Sequence, residues 1–554
     1  MSNRLSVYCT NLGRYIGITG GDTPLDIYRR FRDEIPFRPV VARINNKSED
    51  LNFPFFSPKN LEFMSAHTPS GERTYVRSLC MMLYHAVNSL FPGHRLVIEH
   101  SISRGYYARI PGVEPTEENA AAMRAHIRSL VDRDIPFKRM ERRTSDVIEL
   151  FRAQGLDDKV KLLSTLHEPY TVYYSLDGVY DSYYGALAPS TGLLPYFDLL
   201  PYKEGFLLLG IDRQTDAPAQ PVTQEKMYRA FTDYLAFNRI VGVSNVGELN
   251  EAVEKDDTAM LINVAEALHN NRFAALANQI KTQFEAGGAR IVMIAGPSSS
   301  GKTTFTKRLA IQLMTNLLEP KMISLDDYFV DRHRTPLDEN GDYDYESLHA
   351  LDLELFNSDL NRLLAGEEVE LPYYNFATGA REYRGNRIKL SDHSILLIEG
   401  IHGLNPELTA NVEQRLKFLI YVSALTTISI DDHNWIPTTD NRLLRRIIRD
   451  AKYRGVSPQD TIRRWPSVRR GEEKWIFPFQ ENADATFNSS LLFELGVMKD
   501  RAEALLRTVP HDIPEYAESS RLRTFLSYFC SIPENLVPST SLLREFLGGS
   551  SFKY

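Results

Sequence analysis

The segment MIAGPSSSGKTTF, Met293 to Phe305, sets a glycine-bounded turn between two different periodicities. Before it, Arg290 to Ala295 is short, apolar and rich in β-branched residues, the signature of a buried strand. After it, Thr303 to Leu318 carries apolar residues at helical spacing. A strand, a turn and a helix in that order give the pattern G-x-x-x-x-G-K-[ST] its meaning. Gly296 and Gly301 open backbone angles that a side chain forbids, so the N–H groups between them, through Ser298, Ser299 and Ser300, turn inward around phosphate oxygens. Lys302 adds a mobile positive charge. Thr303, at the positive end of the helix, offers a hydroxyl to Mg²⁺, and Thr304 completes the cradle. The ligand this loop implies is a nucleoside triphosphate with Mg²⁺.

A chain of 554 residues exceeds one ordinary core, so two to four domains are expected. Hydrophobic content of 43% with 25% charged residues belongs to a water-soluble globular protein, and a net charge of −8 argues against wholesale wrapping of nucleic acid. Cys9, Cys80 and Cys530 lie far apart and form no metal-binding spacing. No apolar run approaches the length of a membrane span, and the amino end lacks a leader pattern. These features predict a reduced, cytoplasmic setting without membrane contact.

Residues 1–65 read as a small β-rich unit, with strands at Leu5 to Cys9 and Tyr15 to Ile18 and a helix opening at Thr23-Pro24. Residues 66–212 form a mixed α+β region with a helix at Tyr75 to Leu90 and tyrosine-rich strands near Val172 and Tyr183. Thr215 to Val222 is a linker candidate, and Gln224 to Glu285 is helical, so residues 213–285 are expected to bridge to the next unit. From the P-loop strand onward, residues 286–554 alternate β and α. That alternation predicts an α/β fold: a parallel sheet with helices on both faces.

Neighbouring strands narrow the chemistry. Lys321 to Leu325 ends in Asp326-Asp327, and the carboxyl ends of strands in such a sheet line one crevice, which sets Asp326 beside the terminal phosphate. A carboxylate there accepts a proton from an attacking hydroxyl as phosphorus transfers. Ser394 to Ile398 ends in Glu399, placed to hold Mg²⁺ through water. In NRLLRRIIRDAKYRG, Asn441 to Gly455, on a helix opened by Thr438, Thr439 and Asp440, Arg442, Arg446 and Arg449 share one helical face with Arg445 close by, a face able to close over phosphates.

The P-loop, ISLDDYF (Ile323 to Phe329), YDYESLHALD (Tyr343 to Asp352), YYNFATGAR (Tyr373 to Arg381), LLIEG and RRIIRDAKYRG together resemble the uridine kinase branch of the uridine kinase/phosphoribulokinase family over roughly residues 288–490. The resemblance implies ATP-dependent phosphorylation of a nucleoside 5′-hydroxyl. It implies Asp326 as catalytic base, Lys302 and Arg449 as catalytic cations, and Arg454 as a phosphate-contacting lid residue. Asp344 and Arg446 would hold the ribose, with Tyr374 and Phe329 beside the base. The segment departs from the family where Gly379 stands in place of a base-reading histidine, Phe329 in place of a tyrosine and Val456 in place of a lid arginine. A sugar phosphate or another polyol is the alternative acceptor.

The first half resembles other proteins. GDTPLDIYRRF (Gly21 to Phe31) and VVARINNKSEDL resemble a TGS domain. LFPGHRLVIEHSISRGYYARI (Leu90 to Ile110) and APSTGLLPYFDLL (Ala188 to Leu200) resemble the second amino-terminal domain of threonyl-tRNA synthetase. Arg77, Met81, Tyr183 and Leu187 occupy the positions of that domain's metal-binding and editing side chains, so the editing chemistry is not expected here. RNA recognition, a small regulatory ligand or structural support remain as its uses, an ATP-gated sensor is the second functional class, and oligomerisation is left open.

Overall fold

The computed structural model describes residues 5–339 and 341–553; the outermost positions of the first and last expected units, Met1–Arg4 and Tyr554, lie outside the described residues. The amino-terminal unit is a five-stranded mixed sheet in the order Arg14–Gly17, Ser6–Cys9, Asn60–Ser65, Pro39–Ile44, Lys47–Glu49. Its helix, Pro24–Arg30, begins where Thr23 and Asp26 form a reciprocal capping box.

The next unit is built around the helix Pro69–Leu90, whose residues from Thr74 to Val87 are all buried. A helix surrounded on every side needs apolar residues on every side, which this stretch supplies apart from a few hydrogen-bonded polar groups. It starts six residues before the expected Tyr75, since Thr68 caps it by accepting the Gly71 N–H at 3.1 Å and Pro69 suits the first turn. A four-stranded and a three-stranded sheet enclose it. Tyr183 falls beyond the strand Val179–Asp181 rather than in it.

Three helices follow, Glu225–Val241, Val246–Glu254 and Thr258–Glu285. Expected as a bridge, they also supply core. Phe273, Leu276 and Ile280 of the longest pack on the second large sheet, while Val246 and Leu249 pack with Leu162 of the preceding unit and Ile428 of the following one.

That second sheet is wholly parallel, in the order Glu319–Ser324, Ser394–Glu399, Ile291–Ala295, Lys417–Ser423, Ala485–Asn488. The central strand shows why its sequence is uninterrupted apolar. Ile291, Met293 and Ala295 face a cluster holding Phe356, Leu360 and Leu363, whereas Val292 and Ile294 face Phe305, Leu309 and Leu313 of the P-loop helix. Each such side chain contributes roughly 1.5–3 kcal/mol on burial. The strand leading to Asp326 is not the neighbour of the P-loop strand. The strand ending in Glu399 lies between them, in register with Ser324 on one side and Ile294 on the other.

Candidate functional site

The loop Gly296 to Thr303 leaves the central strand at the carboxyl edge. At Gly296 a Cβ would stand 1.9 Å from the Val422 carbonyl oxygen, and Gly301 adopts φ +85°, so both glycines are required by geometry. Ser299 is held at φ +59°, an uncommon angle for a residue with a side chain. The hydroxyls of Ser299 and Ser300 are buried without a hydrogen-bond partner. Buried donors left unpaired are costly, and a ring of them around a helix start fits an anion such as phosphate.

Lys302 begins the helix Lys302–Thr315, and its ammonium donates to the Pro297 carbonyl oxygen across 3.2 Å. Burial lowers its pKa, against the pull of the carboxylates of Glu399, Asp326, Glu545 and Glu346. The cation therefore stands among four acids. Glu399 Oε1 accepts from Thr303 Oγ1 at 3.4 Å and from Ser324 Oγ at 3.2 Å. Burial and then the charge of Asp326 push the Glu399 carboxyl up to about 7. Asp326 sits in the turn Leu325–Tyr328 just past its strand. The next residue, Asp327, is tied back by accepting the Tyr374 N–H at 3.2 Å, and burial raises it to about 6. The oxygens of Thr303 and Glu399, which meet at 3.4 Å, are of the kind that suits a hard cation such as Mg²⁺.

The arginine-rich helix Thr438–Tyr453 begins at the expected threonine, and its cations divide into two groups. Arg442 and Arg445 are almost wholly buried, which a face closing over phosphates from solvent would not require. Arg442 pairs with Glu472 and donates to the Ser298 carbonyl oxygen at 2.9 Å; Arg445 pairs with Glu494 and donates to the Ser489 carbonyl oxygen at 3.0 Å. Glu472 also accepts the Ser298 N–H at 3.1 Å. These two arginines brace the loop. Arg446, Arg449 and Arg454 instead converge on Asp450, at 3.3, 2.8 and 3.5 Å. Burial alone would raise the Asp450 carboxyl, but the three guanidinium groups outweigh it and hold it below the usual range.

On the acceptor side, Phe329 and Tyr374 meet with ring centroids 5.5 Å apart, and Phe376 joins Tyr374 at 5.0 Å. Tyr374 is only 1% exposed, and its hydroxyl is buried without a partner. Asp344 is half-buried and accepts the Glu346 N–H at 3.2 Å. Glu346, with one buried oxygen lacking a hydrogen-bond partner, acts on Arg446 together with Asp450 and Glu472. Burial pushes Glu346 up to about 7. Gly379 has φ +72°, and a Cβ there would lie 2.7 Å from Arg332 Nε, so a histidine has no room beside that guanidinium.

Sequence reasoning missed Glu346, Glu472, Glu545 and the imidazole of His402, whose two nitrogens are buried without partners and which feels the Lys302 charge. Glu346 stands within the quoted segment Tyr343 to Asp352, but nothing in its spacing set it apart from Asp344.

In the first half, the positions that differ from the editing side chains are filled. Arg77 donates to the Ala186 carbonyl oxygen at 2.9 Å. Tyr183 lies 5.7 Å from the Lys159 ammonium, which bridges Asp181 and Asp431 at 2.9 Å each. His433 meets Asp181 at 2.8 Å. Asp431 and His433 belong to the hairpin Ser429–Trp435, so a piece of the second half plugs the first.

The model of the phosphoribulokinase / uridine kinase family matches residues 291–491. A uridine kinase of Halobacterium salinarum is 30% identical over 193 residues, which are 34% of this chain and 76% of that enzyme. The chain belongs to the phosphoribulokinase / uridine kinase family. A uridine-cytidine kinase C of Dictyostelium discoideum is 28% identical over 212 residues, 38% of this chain and 41% of that protein. The amino-terminal part is similar to a threonine–tRNA ligase of Desulforamulus reducens, 28% identical over 182 residues, 32% of this chain; the chain spans 29% of that ligase's length. The family member is thus a P-loop kinase, a phosphotransferase, joined to a threonine–tRNA-ligase-like region. Among the described residues no helix is long and apolar enough to cross a membrane.

Proposed function

We propose that the chain transfers the terminal phosphoryl group of ATP to the 5′-hydroxyl of a nucleoside, giving a nucleoside monophosphate and ADP. The observation that carries this reading is the convergence of Asp326, Glu399 and the P-loop cation Lys302 at one sheet edge. In this reading the loop from Gly296 to Thr304 seats the phosphates, and Asp326 accepts the proton that leaves the attacking hydroxyl. Lys302 and Arg449 offset the charge that spreads over the moving phosphoryl oxygens, and Arg454 contacts the donor phosphates. Thr303 and Glu399 would hold Mg²⁺, which supplies charge neutralisation to the donor phosphates when bound. Asp344 and Arg446 orient the ribose. Phe376, exposed, with Phe329 and Tyr374 packed against it, would set an aromatic face beside a flat base. The expected setting is the cytoplasm.

An ADP-release assay across the common nucleosides tests the proposal. Acceleration of ATP turnover by at least one is expected, and a folded, ATP-binding protein that none accelerates overturns it.

A second acceptor class, a sugar phosphate or other anionic polyol, is favoured by one observation. Arg332 occupies the space beside Gly379 with its guanidinium donating to the Phe376 carbonyl oxygen at 2.6 Å, which sets a cation next to the aromatic residues read as the acceptor side. Competition by nucleosides but not sugar phosphates separates the two.

A further inference from the structure

The short helix Arg544–Leu547 brings a carboxylate from the far end of the chain to the start of the P-loop helix. Glu545 Oε2 accepts the Thr304 backbone N–H at 3.1 Å and the Thr304 hydroxyl at 2.7 Å. Thr304 is the third residue of the helix Lys302–Thr315, so its N–H belongs to the first-turn donors that have no acceptor within the helix. The helix dipole favours an anion at that point, and Glu545 also acts on Lys302.

The segment bearing Glu545 is anchored on both sides of the site. Leu542 packs in the cluster that contains Phe305 of the P-loop helix. Phe546 is buried with the Arg445 guanidinium 4.9 Å from its ring centroid, and Lys452 of the arginine helix donates to the Leu547 carbonyl oxygen. On the P-loop helix, Lys307 donates to the Lys553 carbonyl oxygen. The tail therefore touches the phosphate cradle and the arginine helix at once.

We propose that Glu545 is a built-in phosphate mimic, occupying at Thr304 the donors that a nucleotide phosphate takes, so that the carboxy-terminal segment acts as an autoinhibitory strap. The proposal rests on the ATP-kinase reading of the same loop. Two anions do not share one N–H and one hydroxyl: a nucleotide phosphate seated at Thr304 expels the carboxylate, and the carboxylate in place repels the phosphate. Apparent nucleotide affinity is then the intrinsic affinity scaled by the fraction of molecules with Glu545 withdrawn. Withdrawal also disturbs the segment that carries Phe546 and Leu547, which links nucleotide entry to the helix holding Arg446 and Arg449.

Isothermal titration calorimetry of Mg·ATP against the full chain and its Glu545→Gln variant tests this. Glutamine keeps the shape and removes the charge, and the variant is expected to bind Mg·ATP about ten-fold more tightly, the equivalent of one charge-assisted hydrogen bond no longer displaced. Equal or weaker binding by the variant, with wild type binding normally, overturns the strap and leaves the kinase reading standing. No binding by either folded protein overturns the nucleotide reading and the strap with it. Should Glu545→Gln fail to fold, amide hydrogen exchange of the wild type decides: Mg·ATP is expected to speed exchange at residues 542–553, and unchanged or slowed exchange overturns the proposal.

Discussion

Arg446 Nη1 donates to the Ser298 hydroxyl at 2.8 Å, joining the arginine helix to the phosphate loop across 148 positions of sequence. The same serine gives its carbonyl oxygen to Arg442 and its N–H to Glu472. These contacts fix the near side of the turn from outside, and they take the Ser298 N–H, expected to turn inward, for Glu472 instead. The cost of ordering the loop is met in folding rather than at binding.

Lys302 and Asp326 separate by role. Lys302→Ala removes the cation at the cradle, so nucleotide affinity and turnover both fall, turnover by roughly a hundred-fold. Asp326→Asn keeps the shape and removes the base, so ATP affinity stays near wild type while kcat falls by roughly two to four orders of magnitude. Calorimetry beside steady-state kinetics reads both. Equal losses of ATP affinity in the two variants contradict the assignment.

Glu346 makes stability depend on pH. Its carboxyl is raised from 4.5 to about 7 in the folded protein, so the folded state holds the proton more tightly than the unfolded state. That contribution is complete below pH 4.5 and is lost as pH rises through the folded value. Glu346→Gln carries no such loss. The stability of wild type relative to the variant should fall by about 2 kcal/mol between pH 5 and pH 8 in urea melts at each pH. A pH-independent difference removes the buried carboxylate from this role.

What was legible in the sequence was local or periodic. The P-loop, the acids at strand ends and the start of the arginine helix each depend on residues within one turn or one strand, and the alternating pattern fixed the fold class. The strand order was not legible, because the insertion of the Glu399 strand between the Asp326 strand and the P-loop strand is a matter of tertiary packing. Nor was the burial of Arg442 and Arg445, since their partners Glu472 and Glu494 lie 30 and 49 residues away and look like ordinary surface acids in a helical pattern. Glu545, 241 residues from Thr304, carried no signal at all.

Asp450 is the shared counter-ion of Arg446, Arg449 and Arg454, itself 3% exposed. Asp450→Asn leaves three guanidinium groups converging without a charge between them. Stability should fall by about 2 kcal/mol, and the KM for ATP should rise as the arginines spread apart. The variant should recover part of that stability in high sulfate, an anion that substitutes for the missing carboxylate, and a melt in sulfate and in chloride at matched ionic strength compares them. Equal melting in both salts contradicts the counter-ion role.

Lys159 locks the two halves of the chain together. Its ammonium is 1% exposed and stands 2.9 Å from Asp181 of the threonine–tRNA-ligase-like region and 2.9 Å from Asp431 of the hairpin that enters it. His433, from the same hairpin, shares Asp181, and the Asp432 N–H donates to Asp158 at 2.7 Å. Lys159→Met matches the stem in length but leaves two carboxylates buried against each other with only His433 to offset them. Breaking such a network by removing one partner costs about 3–5 kcal/mol, much of it at the interface between the halves. Urea unfolding should therefore shift to a lower midpoint, with the interface parting before the parallel sheet melts, seen as tryptophan fluorescence from Trp435 changing ahead of far-ultraviolet circular dichroism. Coincident transitions at the wild-type midpoint would show that the cluster does not hold the halves together.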